Sequence, residues 1–280
     1  MTNAFKTVLR NPGAVAPSGN PTYNTDAVDR AVYALGTSSP ASPSHVLAYL
    51  RAKKFAATIP LSSGIVDRLG NPITVGTYAS SATKNASDSN FNGLPSIDLS
   101  PLNGLGSGNN SCMQLAGGYR LNGSLTTMPA SFTVAASVRV NASPPSVHNF
   151  CGSSDGLWGY FDSSGNLQFR PDGTHGITLA SLLPATTTSV VWYSWDNSTY
   201  VLRGGRNSST VSVSAMGSYA YSPTPGDHIQ PFGYTALNSG NSFFGQFEGW
   251  LLLDKAYMNG SVPADDALFT TLISTWAASI

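Results

Sequence analysis

Phe243-Phe244-Gly245-Gln246-Phe247-Glu248-Gly249-Trp250-Leu251-Leu252-Leu253-Asp254 leads through Asn259-Gly260-Ser261 into an amphipathic segment ending near Trp276. The order of residue types predicts a buried strand, a turn and a short C-terminal helix. Ser261 is placed to accept a hydrogen bond from the free N–H groups of the first helical turn. Pro263 fits an early helical position because it has no N–H to leave unpaired, and Asp265 and Asp266 suit the positive end of the helix dipole. Leu268, Leu272 and Trp276, with Phe269 and Ile273 beside them, fall on one helical face. On the strand, Glu248 alternates with Gln246 and Trp250, which predicts that all three share a face turned toward solvent or a sheet surface.

Working outward, only 10% of the 280 residues are charged, the formal net charge is zero, and Gly, Ser, Thr and Asn are abundant. Such a composition fits short strands joined by many turns. A chain of this length buries roughly 75% of its unfolded surface, so it needs no disulfide framework. Cys112 and Cys151 are read as buried thiols ahead of a cross-strand pair. No run of lysine and arginine is long enough to follow a phosphate backbone, so nucleic acid is not an expected partner. No segment has the 18 or more apolar residues of a membrane helix, and Met1 to Leu9 lacks a signal-peptide core. The expectation is a protein made in a cytoplasm without a signal peptide and without membrane insertion. Seven N-x-Ser/Thr sites, beginning at Asn85 and ending at Asn259, are accordingly read as Asn/Ser-rich loops.

Residues 1 to 57 differ from the rest and form a partly helical N-terminal extension. Thr25 to Leu35 has a short helical pattern, and Ser44 to Phe55 reads as a second, with Val46, Leu47, Leu50 and Phe55 apolar and Arg51, Lys53 and Lys54 in its last turn. Two roles stand open for it: helices packed on the main domain, or an arm attaching it to a larger assembly. From residue 58 to 280 the pattern is β. Ser131 to Val140 alternates with period two, as a strand with one buried face does. Asn149 to Ser153, Leu157 to Asp162, a Ser163–Asn166 turn and Leu167 to Arg170 read as a meander. Ser189 to Asp196 and Thr199 to Arg203 read as a hairpin about Asp196-Asn197. Many short strands with frequent turns and no repeat of 20 to 50 residues predict a two-sheet antiparallel sandwich of roughly 12 to 14 strands.

Several phrases occur in the order found in a known family. The terminal F-x-G-x-F-x-G-W-L-L-L-D-K-A run with its helix resembles the final strand and helix of the concanavalin A-like, or laminin G-like, jelly rolls. Val66-Asp67-Arg68-Leu69-Gly70-Asn71-Pro72 looks like the family's early turn, Phe91 to Leu99 resembles the strand after it, and the 189–203 hairpin matches a third phrase. The resemblance covers about residues 58 to 278 and implies a concanavalin A-like sandwich.

The chemistry that the residues offer is sparse. A glycan-cleaving sandwich needs two carboxylates facing one cleft about 5 to 9 Å apart. This chain has one glutamate, Glu248, with Asp254 its nearest acidic neighbour, and no alternating acidic motif. No Gly-x-Ser-x-Gly elbow sits between a strand and a helix. His45, His148, His175 and His228 share no metal-ligand spacing, so no metal and no cofactor are assigned. Loop oxygens of Asp155, Asp172 and Asp196-Asn197 leave calcium open. Sugar recognition uses aromatic rings against the C–H face of a pyranose, with polar groups orienting its hydroxyls. The candidates are Trp158, Tyr160, Trp192, Trp195 and Tyr234, with Asp155, Asp172 and Asn197 in nearby loops. A large aromatic in a strand is more often core, and each candidate carries that alternative.

The family resemblance adds a setting. It implies a non-enzymatic virion surface protein: a bacteriophage tail fibre or appendage, or a capsid decoration protein, lectin-like and binding host surface polysaccharide. Its extension would meet other virion proteins, and oligomerisation, three-fold by resemblance, would raise avidity. A cement protein without glycan binding and a glycan hydrolase are the other two classes.

Overall fold

Phe132–Val140, the strand clearest in the sequence, lies at the centre of the larger sheet and is buried along nearly its whole length. The computed structural model describes residues 27–37, 46–51, 58–60, 65–66, 72–75, 81–85, 96–98, 113–115, 120–121, 124–125, 129–140, 147–153, 156–172, 174–184, 186–208, 210–219, 221–223, 229–231 and 245–280.

Among these, two helices are present, α1 (Ala27–Thr37) and α2 (Pro263–Ala277). The strands are β1 (Val46–Arg51), β2 (Thr58–Pro60), β3 (Ile65–Val66), β4 (Pro72–Val75), β5 (Ser81–Asn85), β6 (Ser96–Asp98), β7 (Met113–Leu115), β8 (Arg120–Leu121), β9 (Ser124–Leu125) and β10 (Phe132–Val140). They continue with β11 (Val147–Ser153), β12 (Trp158–Asp162), β13 (Leu167–Arg170), β14 (Ile177–Leu179), β15 (Ser189–Asp196), β16 (Val201–Arg206), β17 (Ser212–Ala215), β18 (Ile229–Pro231) and β19 (Gly245–Leu253). Nine strands form one sheet in the order β17-β16-β15-β10-β19-β6-β5-β2, with β1 also paired to β19; five form the second, β14-β13-β12-β11-β18. The expected all-β antiparallel sandwich is present, and among the described residues its nine-stranded and five-stranded sheets fall within the 12 to 14 strands anticipated.

The sheets close on an aromatic core. Phe132 packs on Phe169 with ring centroids 5.9 Å apart, Phe150 on Tyr193 at 6.0 Å, and Phe169 on Trp195 at 5.1 Å, each pair crossing from one sheet to the other. Trp250 Nε1 donates to the Phe150 carbonyl across the same layer, at 3.1 Å. Gly159 permits one close approach: a Cβ there would stand 2.5 Å from the Tyr193 hydroxyl oxygen. Cys151, a free and buried thiol, lies in this core, where burial pushes it up to about 12 against a small opposing pull from the Tyr193 hydroxyl.

The expectation of a single buried face on β10 is corrected. Phe132, Val134, Ala136, Val138 and Val140 point into the aromatic core, while Ala135 joins a second cluster with residues of both helices. Helices α1 and α2 form a third layer on the outside of the nine-stranded sheet. Val28, Val32 and Leu35 of α1 and Phe269, Leu272, Ile273 and Trp276 of α2 bury their apolar stripes there. The Tyr49 hydroxyl donates to buried Asp29 at 2.7 Å and ties α1 to β1.

Three local expectations also change. The second helix expected over Ser44–Phe55 is a strand: Val46–Arg51 runs antiparallel to Gly249–Leu253, and Val46 to Tyr49 are all buried. Beside β19 and under α1 both faces are covered, so the apolar residues run consecutively and imitate a helical spacing. Part of the 1–57 extension is therefore built into the sheet. Second, Glu248 and Trp250 do not share a face. A bulge in β19, where Ser137 pairs with Gly249 but Val138 with Phe247, turns Glu248 toward α2 and Trp250 into the sandwich core. Third, Ser261 does not cap α2. Val262 takes the N-cap position without a side-chain bond, and Pro263 follows it. The acidic first turn works backward instead, with Asp266 accepting from the Gly260 N–H at 2.9 Å and Asp265 pairing with Lys255. The Asp67–Asn71 turn lies outside the described residues.

Candidate functional site

Strand β12 turns successive side chains to opposite faces of its sheet, with its three central residues buried. Gly159 and Phe161 face the core, so Trp158, Tyr160 and Asp162 project from the outer face of the five-stranded sheet. Strand β13 does the same, burying Leu167 and Phe169 and turning Gln168 and Arg170 outward; on β14, Thr178 is exposed between buried Ile177 and Leu179. On this outer side Trp158 is partly exposed, while Tyr160, at 8% exposure, is buried beneath its neighbours. Trp158 and Tyr160 stack along the strand, centroids 4.1 Å apart and planes inclined by 31°. The Arg170 guanidinium lies 5.6 Å from the Trp158 ring and 5.8 Å from the Tyr160 ring, a cation over two aromatic faces. Asn149 Oδ1 accepts from the Trp158 indole N–H at 2.6 Å, setting the ring's orientation.

Beside the rings runs a polar row. Thr178 Oγ1 donates to Gln168 Oε1 (2.7 Å), and Gln168 Nε2 donates to Asp162 Oδ2 (3.2 Å), which also accepts from Asn166 Nδ2 (3.0 Å). Burial by itself would raise the Asp162 carboxyl, but the hydrogen bonds from Asn166, Gln168 and Ser164 outweigh it and hold the group below its ordinary value. At the edge of the face, Asp172 is held low in the same way: burial pushes it up, and His175 with the Thr174 N–H overrides that. His175 Nδ1 lies 2.6 Å from Asp172 Oδ2, and its ring stacks on Tyr219 at 3.6 Å, clasping this turn to the loop after β17.

The structure thus separates the residues that the sequence put forward. Trp158 and Tyr160 come together, with Asp172 close by in sequence at the end of β13. Trp192 and Trp195 do not join them and are corrected to core positions. Trp192 packs edge-on against Phe269 beneath α2 and bonds the Ser208 carbonyl (3.0 Å), whereas Trp195 faces the other way, against Phe169. Asn197 is a clasp. Its Oδ1 accepts from the Trp195 indole and the Tyr221 N–H, and its Nδ2 donates to the Tyr221 carbonyl. Asp155 and Tyr234 lie outside the described residues. Arg170, Asn149, Gln168 and Thr178 were missed, although the alternation Leu167-Gln168-Phe169-Arg170 already sets Gln168 and Arg170 on one side of their strand.

The acidic residues have other occupations. Glu248 is wholly buried and accepts the Trp276 indole N–H at 2.9 Å, which joins β19 to α2. A pocket of about 210 Å³ at the end of β15 is lined by Asp196, Lys255, Asn259, Asp265 and Asp266 among others, and Lys255 already neutralises Asp265 within it. Among the described residues, no three His, Cys, Asp or Glu side chains meet as metal ligands do.

No family model matches this chain, and no curated protein matches it in sequence. Solved structures do. Domain 4 of AbnA, a GH43 extracellular arabinanase from Geobacillus stearothermophilus, solved in complex with arabinotriose, aligns with a TM-score of 0.51 at 12% identity, over 80% of this chain and 97% of that one. The fold is a two-sheet antiparallel β-sandwich. A mutant of Trypanosoma rangeli sialidase displaying trans-sialidase activity contains a similar sandwich, at a TM-score of 0.51 and 10% identity, over 84% of this chain and 34% of that one. In the sandwich described here, helices α1 and α2 cover the outside of the larger sheet, on the side away from Trp158.

Proposed function

We propose that this chain is a non-enzymatic glycan-binding protein whose ligand lies on the outer face of the five-stranded sheet. The observation that carries this reading is the stacked Trp158–Tyr160 pair set beside the Asp162–Gln168–Thr178 row. Rings of this kind pack against the C–H face of a sugar while amide, hydroxyl and carboxylate groups bond its hydroxyls. Arg170 covers the rings as a long, flexible side chain. A sugar reaches the ring faces when that chain swings aside, and the guanidinium then supplies donors at the ligand's edge. The arabinotriose-bound arabinanase domain supports the reading by fold alone.

The setting is part of the proposal. A bacteriophage tail appendage or capsid decoration protein that meets host surface polysaccharide fits the low charge and the Gly, Ser and Asn-rich loops, together with the resemblance of the sequence phrases. The decisive experiment is binding of labelled protein to intact bacterial cells and to a polysaccharide panel. Saturable binding competed by one soluble glycan is expected, with Trp158→Ala weakening it by about tenfold while unfolding remains cooperative. A folded protein that binds neither cells nor panel, or a Trp158→Ala variant that binds as the parent does, overturns the proposal.

A further inference from the structure

Asn259-Gly260-Ser261 forms the turn between β19 and α2, and three hydrogen bonds fall there on the atoms of one possible intramolecular reaction. Asn259 Oδ1 accepts from the Ser261 N–H at 2.9 Å, and Asn259 Nδ2 donates to Asp196 Oδ2 at 3.4 Å. The side-chain amide is thereby fixed end for end, its carbonyl toward Ser261 and its nitrogen toward Asp196. The Gly260 N–H donates to Asp266 Oδ2 at 2.9 Å. Gly260 is exposed at a φ of +77°, and a Cβ built on it would meet no atom within 4 Å, so nothing crowds the turn beside its nitrogen. Asn259, Ser261, Asp196 and Asp266 all line the pocket of about 210 Å³ at the end of β15.

We propose that this turn modifies itself: the Gly260 nitrogen attacks Asn259 Cγ, and position 259 becomes aspartate or isoaspartate with loss of ammonia. The two groups are neighbours in the chain, so the attack is intramolecular and needs no encounter. As the N–Cγ bond forms and closes a succinimide ring, the Gly260 proton passes to Asp266, a general base already within hydrogen-bond reach of it. One electron pair of the Cγ=Oδ1 bond moves onto Oδ1, where the Ser261 N–H meets it as an oxyanion donor does. When that pair returns, the Cγ–Nδ2 bond breaks, the proton held by Asp266 passes to Nδ2 through solvent in the pocket, and ammonia leaves. Water, the only co-reactant, then opens the ring at either carbonyl and leaves a carboxylate. That carboxylate no longer donates to Asp196 and stands beside it as a like charge, in a pocket that already holds Asp265 and Asp266. Opening to isoaspartate also lengthens the main chain by one carbon and draws the Gly260 N–H away from Asp266. Conversion therefore loosens the tie between the turn before α2 and the end of β15, whether or not the Trp158 face holds a glycan.

Mass-spectrometric peptide mapping of the full chain, aged in neutral buffer, reads the conversion as the amide-to-acid mass gain at position 259. Asn92-Gly93, Asn103-Gly104 and Asn122-Gly123 carry the same dipeptide and serve as internal standards. Position 259 is expected to convert faster in the folded chain than in the same chain unfolded in urea. Asp266→Asn still accepts a hydrogen bond but takes up no proton. It is expected to slow position 259 about tenfold or more, to leave the three standards unchanged, and to make the remaining rate rise more steeply with hydroxide than the parent's does. Asn259→Gln is expected to show no mass gain at 259 and to keep on ageing the melting temperature that the parent loses. Conversion at 259 that is no faster folded than unfolded, or that is undiminished in a folded Asp266→Asn variant, overturns the proposal, and equal melting of aged and fresh parent overturns the loosening. If Asp266→Asn lacks the parent's near-UV dichroism, the comparison of folded with unfolded parent decides alone.

Discussion

Trp158 and Trp195 carry the same side chain in strands of the same sandwich, and their surroundings give them opposite roles. Trp158 lies on an outer face with its indole N–H directed by Asn149, whereas Trp195 is fully buried against Phe169 and its N–H is spent on Asn197. Trp195→Ala leaves a cavity where a large ring stood, and a loss of about 3 to 5 kcal/mol in unfolding free energy is expected. Chemical denaturation measures it, and a loss below 1 kcal/mol would remove Trp195 from the core. Strand alternation at 157–162 and 167–170 makes the outward side of Trp158 readable from sequence. The burial of Trp192 and Trp195 is not readable in that way, because both faces of β15 are covered by segments distant in the chain.

At the scale of elements, the strand of Phe132–Val140, the 147–170 meander, the 189–206 hairpin and the last strand and helix were all legible, since each combines period-two or period-3.6 patterning with turn residues at its ends. Strand β1 was not, because an edge buried on both sides has neither period. Helix α2 matters more than its length indicates: Phe269, Leu272, Ile273 and Trp276 cover Trp192, Leu251 and Leu253 of the sheet. A chain terminated after Val262 is expected to expose that face, bind a hydrophobic dye and lose cooperative unfolding. If such a chain unfolds in one sharp transition near the parent's, the two sheets are sufficient alone and the helical layer is an addition.

For the whole molecule, acid tolerance follows from three carboxylates. Asp162, Asp172 and Asp196 all sit below their ordinary values in the folded chain, since hydrogen bonds outweigh the burial that raises them. A carboxyl depressed on folding contributes stability that is present above its unfolded value, about 3.9, and lost as pH falls through the lower folded value. The melting temperature is therefore expected to fall on acidification below about pH 4, and to fall less steeply in Asp162→Asn, which keeps the shape of the side chain without its titration. Equal slopes in parent and variant would show that Asp162 does not contribute.

By itself the sequence determined the all-β class, most of the strands between residues 129 and 253, and the amphipathic C-terminal helix, because alternation, turn residues and helical stripes are local properties that each segment carries wherever it packs. Only the tertiary structure decided that Trp192 and Trp195 are core residues and that Glu248 is buried beneath α2. Those outcomes depend on which distant segment lies over a given face, and the two-sided burial of β10, β15 and β1 erases the periodic signal by which a covering layer is read.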